Sequence, residues 1–178
     1  MSARQLQFEA LVTAFSDDLY RYALWLCHRR ELAEDLVQET FARAWKSLDG
    51  LQDHRAAKGW LLTILRRENA RYHQRAQREG IPVDGFDPEQ AIGADLDPGS
   101  AEIVMLRKAL MELSDDYLEP LLLQVIGGYT SAEIAETMGI SPGTVTTRLF
   151  RARKRLRKCL EGDAPENTRS STAHKSKK

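Results

Sequence analysis

A chain of 178 residues, 42% hydrophobic and 29% charged, is sized and balanced for one ordinary globular domain or two small ones. Its 26 basic and 26 acidic residues cancel, so overall charge names no partner. Two cysteines, Cys27 and Cys159, exclude a disulfide framework, and no cysteine–histidine spacing marks a zinc or other metal site. No apolar run approaches the roughly 20 residues of a membrane span. The opening stretch MSARQLQFEALV has neither the apolar run nor the cleavage site of a secretory signal, so a cytoplasmic protein is expected, with no membrane insertion.

Strand patterning is nearly absent, and apolar residues recur at helical spacing. The pattern predicts helices over 4–15, 17–28, 31–48 and 55–78, then over 101–113, 115–127, 131–138 and 142–160. Between these blocks, residues 79–102 hold seven acidic residues, four glycines, three prolines and no basic residue. Such a segment buries too little apolar surface to offset its ordering entropy. The expected fold is therefore all-α: two small helical domains, 1–78 and 102–162, joined by a flexible acidic linker over 79–101. A disordered tail is expected over 163–178.

In the first block, AEDLVQETFARAW turns Leu36, Phe41, Ala44 and Trp45 inward at three- and four-residue spacing. Asp35, Gln38, Glu39 and Arg43 form a polar stripe on the other side. The stretch HRAAKGWLLTILRRENARYHQRAQR places Trp60, Leu61, Ile64 and Leu65 toward a core. It then delivers Arg66, Arg67, Arg71, Arg75 and Arg78 against the single acidic Glu68, with Asn69, Tyr72 and His73 among them. Cations mixed with rings suit single-stranded nucleic acid: charge meets the backbone and rings meet unstacked bases.

In the second block, Pro120 of DDYLEPLLLQVIGGYT is expected near the start of its helix, where a missing amide matters least. Thr130 followed by Glu133 has the form of a capping box. Gly139 suits a left-handed helix end, and Ser141-Pro142 a sharp new start. Ile134, Met138, Ile140, Val145 and Leu149 can close a core between the two short helices, the arrangement of a helix–turn–helix. The second helix would set Thr144, Thr146, Thr147, Arg148, Phe150 and Arg151 against base edges in a major groove. Arg153, Lys154, Arg155, Arg157 and Lys158 continue the positive charge toward phosphates.

Taken in series, AEDLVQETFARAW, WLLTILRRENARYHQR and YTSAEIAETMGISPGTVTTRLFRARKRL resemble the small alternative sigma factors of bacteria, the extracytoplasmic-function (ECF) group, over about residues 6–160. The resemblance implies a non-enzymatic initiation factor without a cofactor or small-molecule substrate. Its implied partners are RNA polymerase core, through the largest-subunit clamp and the flap, promoter DNA in duplex and single-stranded form, and an anti-sigma protein. Carried over by position, core binding falls on Asp35, Gln38, Glu39 and Arg43. Recognition and melting of the −10 element fall on Trp60, Arg66, Arg67, Asn69, Arg71, Tyr72 and Arg75. The −35 contacts fall on Thr144, Thr146, Thr147, Arg148, Phe150, Arg151, Arg153 and Lys154. One position departs from the pattern: many relatives carry asparagine where this chain has Arg67, and an arginine cannot copy an amide's paired donor and acceptor. Two rival classes remain: a stand-alone dimeric regulator, which would bind a palindrome, and a nuclease using Asp35/Glu39 or Asp115/Asp116.

Overall fold

The computed structural model describes residues 2–51, 53, 56–80 and 101–161. Among them there is no strand, and seven α-helices carry the fold: α1 (Ala3–Cys27), α2 (Arg30–Lys46), α3 (Ala57–Glu79), α4 (Ala101–Met111), α5 (Asp115–Val125), α6 (Ser131–Met138) and α7 (Pro142–Leu160). A short 3₁₀ turn, Leu48–Gly50, follows α2. The acidic linker expected over 79–101 lies outside the described residues from 81 to 100, as does the tail over 163–178.

The sequence predicts two helices over 4–15 and 17–28, and the structure corrects this to one of 25 residues. Ser16, Asp17 and Asp18 favour helix ends by local propensity. Here the apolar stripe runs straight through them, with Leu11, Phe15, Leu19, Tyr22 and Ala23 all packed in cores, and burial decides. Ser2 starts α1 by accepting the Gln5 amide, and His28 ends it in the left-handed conformation (φ 53°), its amide donating to the Leu24 carbonyl. Helix α2 places Glu31 in its first turn and Arg43 and Lys46 in its last, each sign matching the helix dipole. Helix α3 ends at Gly80, also left-handed.

Helices α1, α2 and α3 form the N-terminal module, and α4, α5 and α6 pack on α7 to form the C-terminal one. The two modules are not held apart. One cluster of buried side chains runs from Leu19, Tyr22 and Leu36 through Leu61 and Leu65 to Leu118, Leu121, Ile134 and Val145. A smaller cluster of Leu11, Leu48, Leu51 and Ala57 closes the far end of the N-terminal module, with Phe8, Phe15 and Trp60 against it.

Two further expectations need correction. Trp45 does not turn into the core; it remains partly exposed, meets Phe8 edge-on and carries the Arg4 guanidinium on its face. Pro120 is the sixth residue of α5, inside the helix and buried, so it removes a backbone bond to the first turn in exchange for packing.

Candidate nucleic-acid and polymerase interfaces

The helix–turn–helix is built by local rules. Thr130 and Glu133 make the complete capping box at the start of α6: the Thr130 amide donates to Glu133 Oε2 at 2.7 Å, and the Glu133 amide donates to Thr130 Oγ1 at 3.3 Å. The Thr130 amide and the Thr130 hydroxyl, both donating to Glu133 Oε2, hold the Glu133 carboxyl below its ordinary pKa. Gly139 ends α6 with φ 66°, and the Ile140 amide reaches back to the Ala135 carbonyl. Ser141 then caps α7 by accepting the Thr144 amide at 3.1 Å, with Pro142 as the first helical residue.

Val145, Leu149 and Ala152 fix the orientation of α7 by burying one face against Ile134, Ala135 and α5. The opposite face therefore presents Thr146, Thr147, Phe150, Arg151, Arg153 and Lys154 to solvent, as expected, and Phe150 is 65% exposed. The Thr146 and Thr147 hydroxyls donate to the carbonyls of Pro142 and Gly143, at 3.0 and 2.9 Å. Their outward chemistry is thus a lone pair and a methyl group, suited to an amino donor or a thymine methyl.

Arg148 differs from its neighbours, because it is half-buried and paired with Asp116 at 2.7 Å. Tyr117 collects two more cations: Arg151 approaches its hydroxyl at 3.5 Å and Arg155 lies over its ring at 4.7 Å. The bond from Arg151 pulls the Tyr117 hydroxyl below its usual pKa. Arg153 bonds Gln124. Asp116, Tyr117, Ser141, Thr144, Thr147, Arg148 and Arg151 line an open hollow of about 620 Å³ where α5 meets the start of α7.

In the N-terminal module, Asp35, Gln38 and Glu39 are exposed along α2, and Arg43 is half-buried at the end of the stripe. Arg43 Nε lies 2.7 Å from Glu68 Oε1 and 3.0 Å from Glu39 Oε1. Its N–H points along neither line, so these contacts are ion pairs rather than hydrogen bonds. Glu68 also accepts from Arg71 at 2.8 Å. This bridge separates two grooves between α2 and α3. The larger, about 770 Å³, joins Asp35, Gln38 and Glu39 to Arg71, Tyr72 and Arg75. The smaller, about 280 Å³, is lined by Arg43, Lys46, Ser47, Ile64, Arg67, Glu68 and Arg71.

The other expected −10 residues are dispersed. Trp60 packs against both cores, and Tyr72 accepts a bond from Arg29 at 3.3 Å. Asn69 buries its Oδ1 without a hydrogen-bond partner among the described residues. Arg66 faces the C-terminal module, where it pairs with Glu119 at 2.5 Å and donates to the Thr137 carbonyl at 2.7 Å. Sequence reasoning missed Glu68, Glu119 and Tyr129 as organising residues. For Glu68 a signal exists, since it is the one acid among the arginines of that stretch. For Glu119 and Tyr129, whose partners lie 53 and 70 residues away, there is none. Among the described residues, no group of three His, Cys, Asp or Glu side chains is placed to hold a metal.

A capped helix–turn–helix with a cationic outer face, beside a three-helix module whose groove mixes arginines with an acidic stripe, defines a two-module helical protein of the nucleic-acid-binding class. The family described as Sigma-70 region 2 matches residues 11–79, and that described as Sigma-70, region 4 matches residues 103–156. The chain is 32% identical to the ECF RNA polymerase sigma factor SigL of Mycobacterium tuberculosis, over 85% of this chain and 90% of the relative. It is 31% identical to the ECF RNA polymerase sigma factor EcfG of Rhodopseudomonas palustris, over 88% and 86%. In three dimensions it is similar to the sigma factor RpoE of Bartonella quintana, solved in complex with the anti-sigma factor NepR. That match has a TM-score of 0.70 and 28% identity, covering 88% of this chain and 98% of the other. The chain belongs to the ECF RNA polymerase sigma factors.

Proposed function

We propose that the protein acts in the cytoplasm, without chemistry of its own, by differential binding on polymerase core. The acidic stripe of α2 (Asp35, Gln38, Glu39, with Arg43) meets the clamp of the largest polymerase subunit, and the C-terminal module meets the flap. Helix α7 enters the major groove of the −35 element, reading bases with its N-terminal half and meeting phosphates with Arg153 and Lys154. The two grooves between α2 and α3 together hold the opened −10 strand. Arg67, Arg71 and Arg75 supply charge there, and Tyr72 offers a ring for stacking.

Holding the single-stranded form shifts the melting equilibrium toward it, offsetting the few kcal/mol, approximately, that unstacking one base costs. A domain organisation of 1–78 and 102–162 around the linker 79–101, with a tail over 163–178, suits two weak contacts made additive by a shared scaffold. An anti-sigma protein that covers the polymerase-binding surfaces is the expected regulator.

The observation that supports this reading is the large α2–α3 groove, where Asp35, Gln38 and Glu39 share one lining with Arg71, Tyr72 and Arg75. Run-off transcription with core polymerase on a promoter library tests it. The wild-type chain should direct specific initiation with one factor per polymerase. Arg151→Ala should lose −35 preference while keeping core affinity. Gln38→Ala with Glu39→Ala should do the reverse. Equal loss of both activities in either variant refutes the assignment of faces.

A further inference from the structure

Helix α3 turns one stripe toward the end of α2. Ile64, Arg67, Glu68 and Arg71 recur at spacings of three and four, so they share a face. Arg43, Lys46 and Ser47 repeat that spacing on α2. The two stripes meet in the smaller groove, about 280 Å³. Its lining sets four cations against the single carboxylate of Glu68, with the buried Ile64 as an apolar wall.

These charges are not equivalent. Arg43 and Arg71 are engaged by Glu68, at 2.7 and 2.8 Å. Arg67 and Lys46 are exposed, and their side chains have no ion pair or hydrogen bond among the described residues. Both contacts to Glu68 fall on Oε1. A carboxylate offers about four lone-pair sites, so Glu68 keeps acceptor capacity toward the groove. The bridge thus fixes a carboxylate in place and leaves a free guanidinium one residue before it.

A ligand for this groove has to bring acceptors to Arg67 and Lys46, N–H donors to Glu68 and a flat apolar face to Ile64. An unstacked nucleobase is such a ligand. Adenine matches poorly: its 6-amino group would face the cations, and its bare N1 the carboxylate. Thymine flanks its one N–H with two carbonyl oxygens, which a carboxylate repels. Cytosine has a single amino donor. Guanine presents two adjacent donors, N1–H and the 2-amino group, and on its other edge two acceptors, O6 and N7, spaced for a guanidinium.

We propose that the small α2–α3 groove is a guanine pocket for one unstacked base of the opened strand. Glu68 accepts from the N1–H and 2-amino edge, and Arg67 donates to O6 and N7. Lys46 at the rim meets the adjoining phosphate. The pairs to Arg43 and Arg71 persist, so the buried carboxylate is never left without a counter-ion. Arg67 stands where many relatives carry asparagine, and a preference for guanine is what that departure confers. That the base belongs to an opened strand rests on the sigma-factor reading; the donor and acceptor match to guanine does not.

The test uses the full chain bound to core polymerase and a forked promoter DNA whose unpaired −10 strand is randomised. Sequencing the retained DNA should show guanine enriched over adenine at one position by about 5- to 150-fold, the discrimination that one bidentate pair gives. Two altered bases then resolve the atoms. Hypoxanthine, which lacks the 2-amino group, and 7-deazaguanine, which lacks N7, should each weaken retention several-fold at that position. Glu68→Gln should shrink the hypoxanthine effect and keep the 7-deazaguanine effect, and Arg67→Met should do the reverse. Variants that weaken retention of every base alike would show a structural role only and overturn the assignment. So would equal retention of all four bases, or a preference for cytosine or adenine, with the sigma-factor reading left standing. Guanosine monophosphate in large excess should not displace the forked DNA; displacement would assign the groove to a free nucleotide and overturn the strand as its occupant. A chain that fails to join core, or a complex that retains no forked DNA, sinks the sigma-factor reading and this inference with it.

Discussion

Replacing Glu68 by glutamine tests whether one buried carboxylate ties α2 to α3. Glu68 is 7% exposed, while its partners Arg43 and Arg71 are 42% and 57% exposed at 2.7 and 2.8 Å. Breaking a fully desolvated pair costs about 3–5 kcal/mol, whereas exposed pairs measure about 0.2–1 kcal/mol each. Half-exposed arginines keep their hydration when released, so the two pairs together belong near the lower range. Glu68→Gln should cost about 1–2 kcal/mol. For a chain of this size that lowers Tm by about 2–8 °C. Urea unfolding followed at 222 nm reads the difference directly. The gap should narrow at about 1 M salt, where the screening length falls to about 3 Å. A double-mutant cycle with Arg71→Met should return a coupling of about 0.5–1 kcal/mol. If Glu68→Gln proves as stable as the wild type, desolvation of the carboxylate already cancels its pairing, and the bridge cannot be what fixes α2 against α3.

Other changes probe separate parts of the argument. Burial holds the His28 imidazole below its ordinary pKa, with Asp115 partly opposing, so the unfolded chain takes up its proton first as pH falls. Stability should be lost from about pH 6.5 downward through the folded value, and His28→Asn, which tolerates φ 53°, should flatten that slope between about pH 7.5 and 5.5. Equal slopes would show that His28 is already solvated. Thr130→Ala removes the cap of α6 and should destabilise the C-terminal module by about 1 kcal/mol in thermal melts. Gly127→Ala drives a methyl into the Leu123 carbonyl and the Tyr129 ring, and should cost about 1–3 kcal/mol. It should also loosen the module contact in scattering.

The helices over 131–138 and 142–160 match their sequence-predicted bounds because their signals are local: Thr130 with Glu133, Gly139, and Ser141 before Pro142 all act within one turn. The outward set on α7 was legible for the same reason, since 3.6-residue periodicity decides which face is buried. Where long-range packing decides, the sequence misled. Ser16–Asp18 favour a helix end, yet the stripe through Phe15 and Leu19 carries α1 across them. Trp45 has the spacing of a core residue but finds Arg4 and Phe8 at the rim. The Arg66 pair joins positions 53 residues apart, and no periodicity records such a partner.

The same arginines bear on how a chain of zero net charge can work on DNA. Arg43 and Arg71 face Glu68, Arg66 faces Glu119 and Arg148 faces Asp116, so these four cations have protein anions as partners in the docked form. Exchanging a carboxylate for a phosphate leaves each arginine ion-paired but frees its carboxylate, and for Glu68, buried where its arginines are half-exposed, that release is costly. The contact then supplies little net affinity to arbitrary DNA and more to DNA that a scaffold already holds in register. Arginines neutralised in this way add little to non-specific binding, and the long positive end of α7 is left to provide the salt-dependent attraction. Glu119→Gln should therefore raise non-specific DNA binding by the free chain and steepen its salt dependence by about one phosphate's worth, a slope change near 0.9. A slope equal to that of the wild type would mean that Arg66 does not reach DNA even when its Glu119 partner is removed.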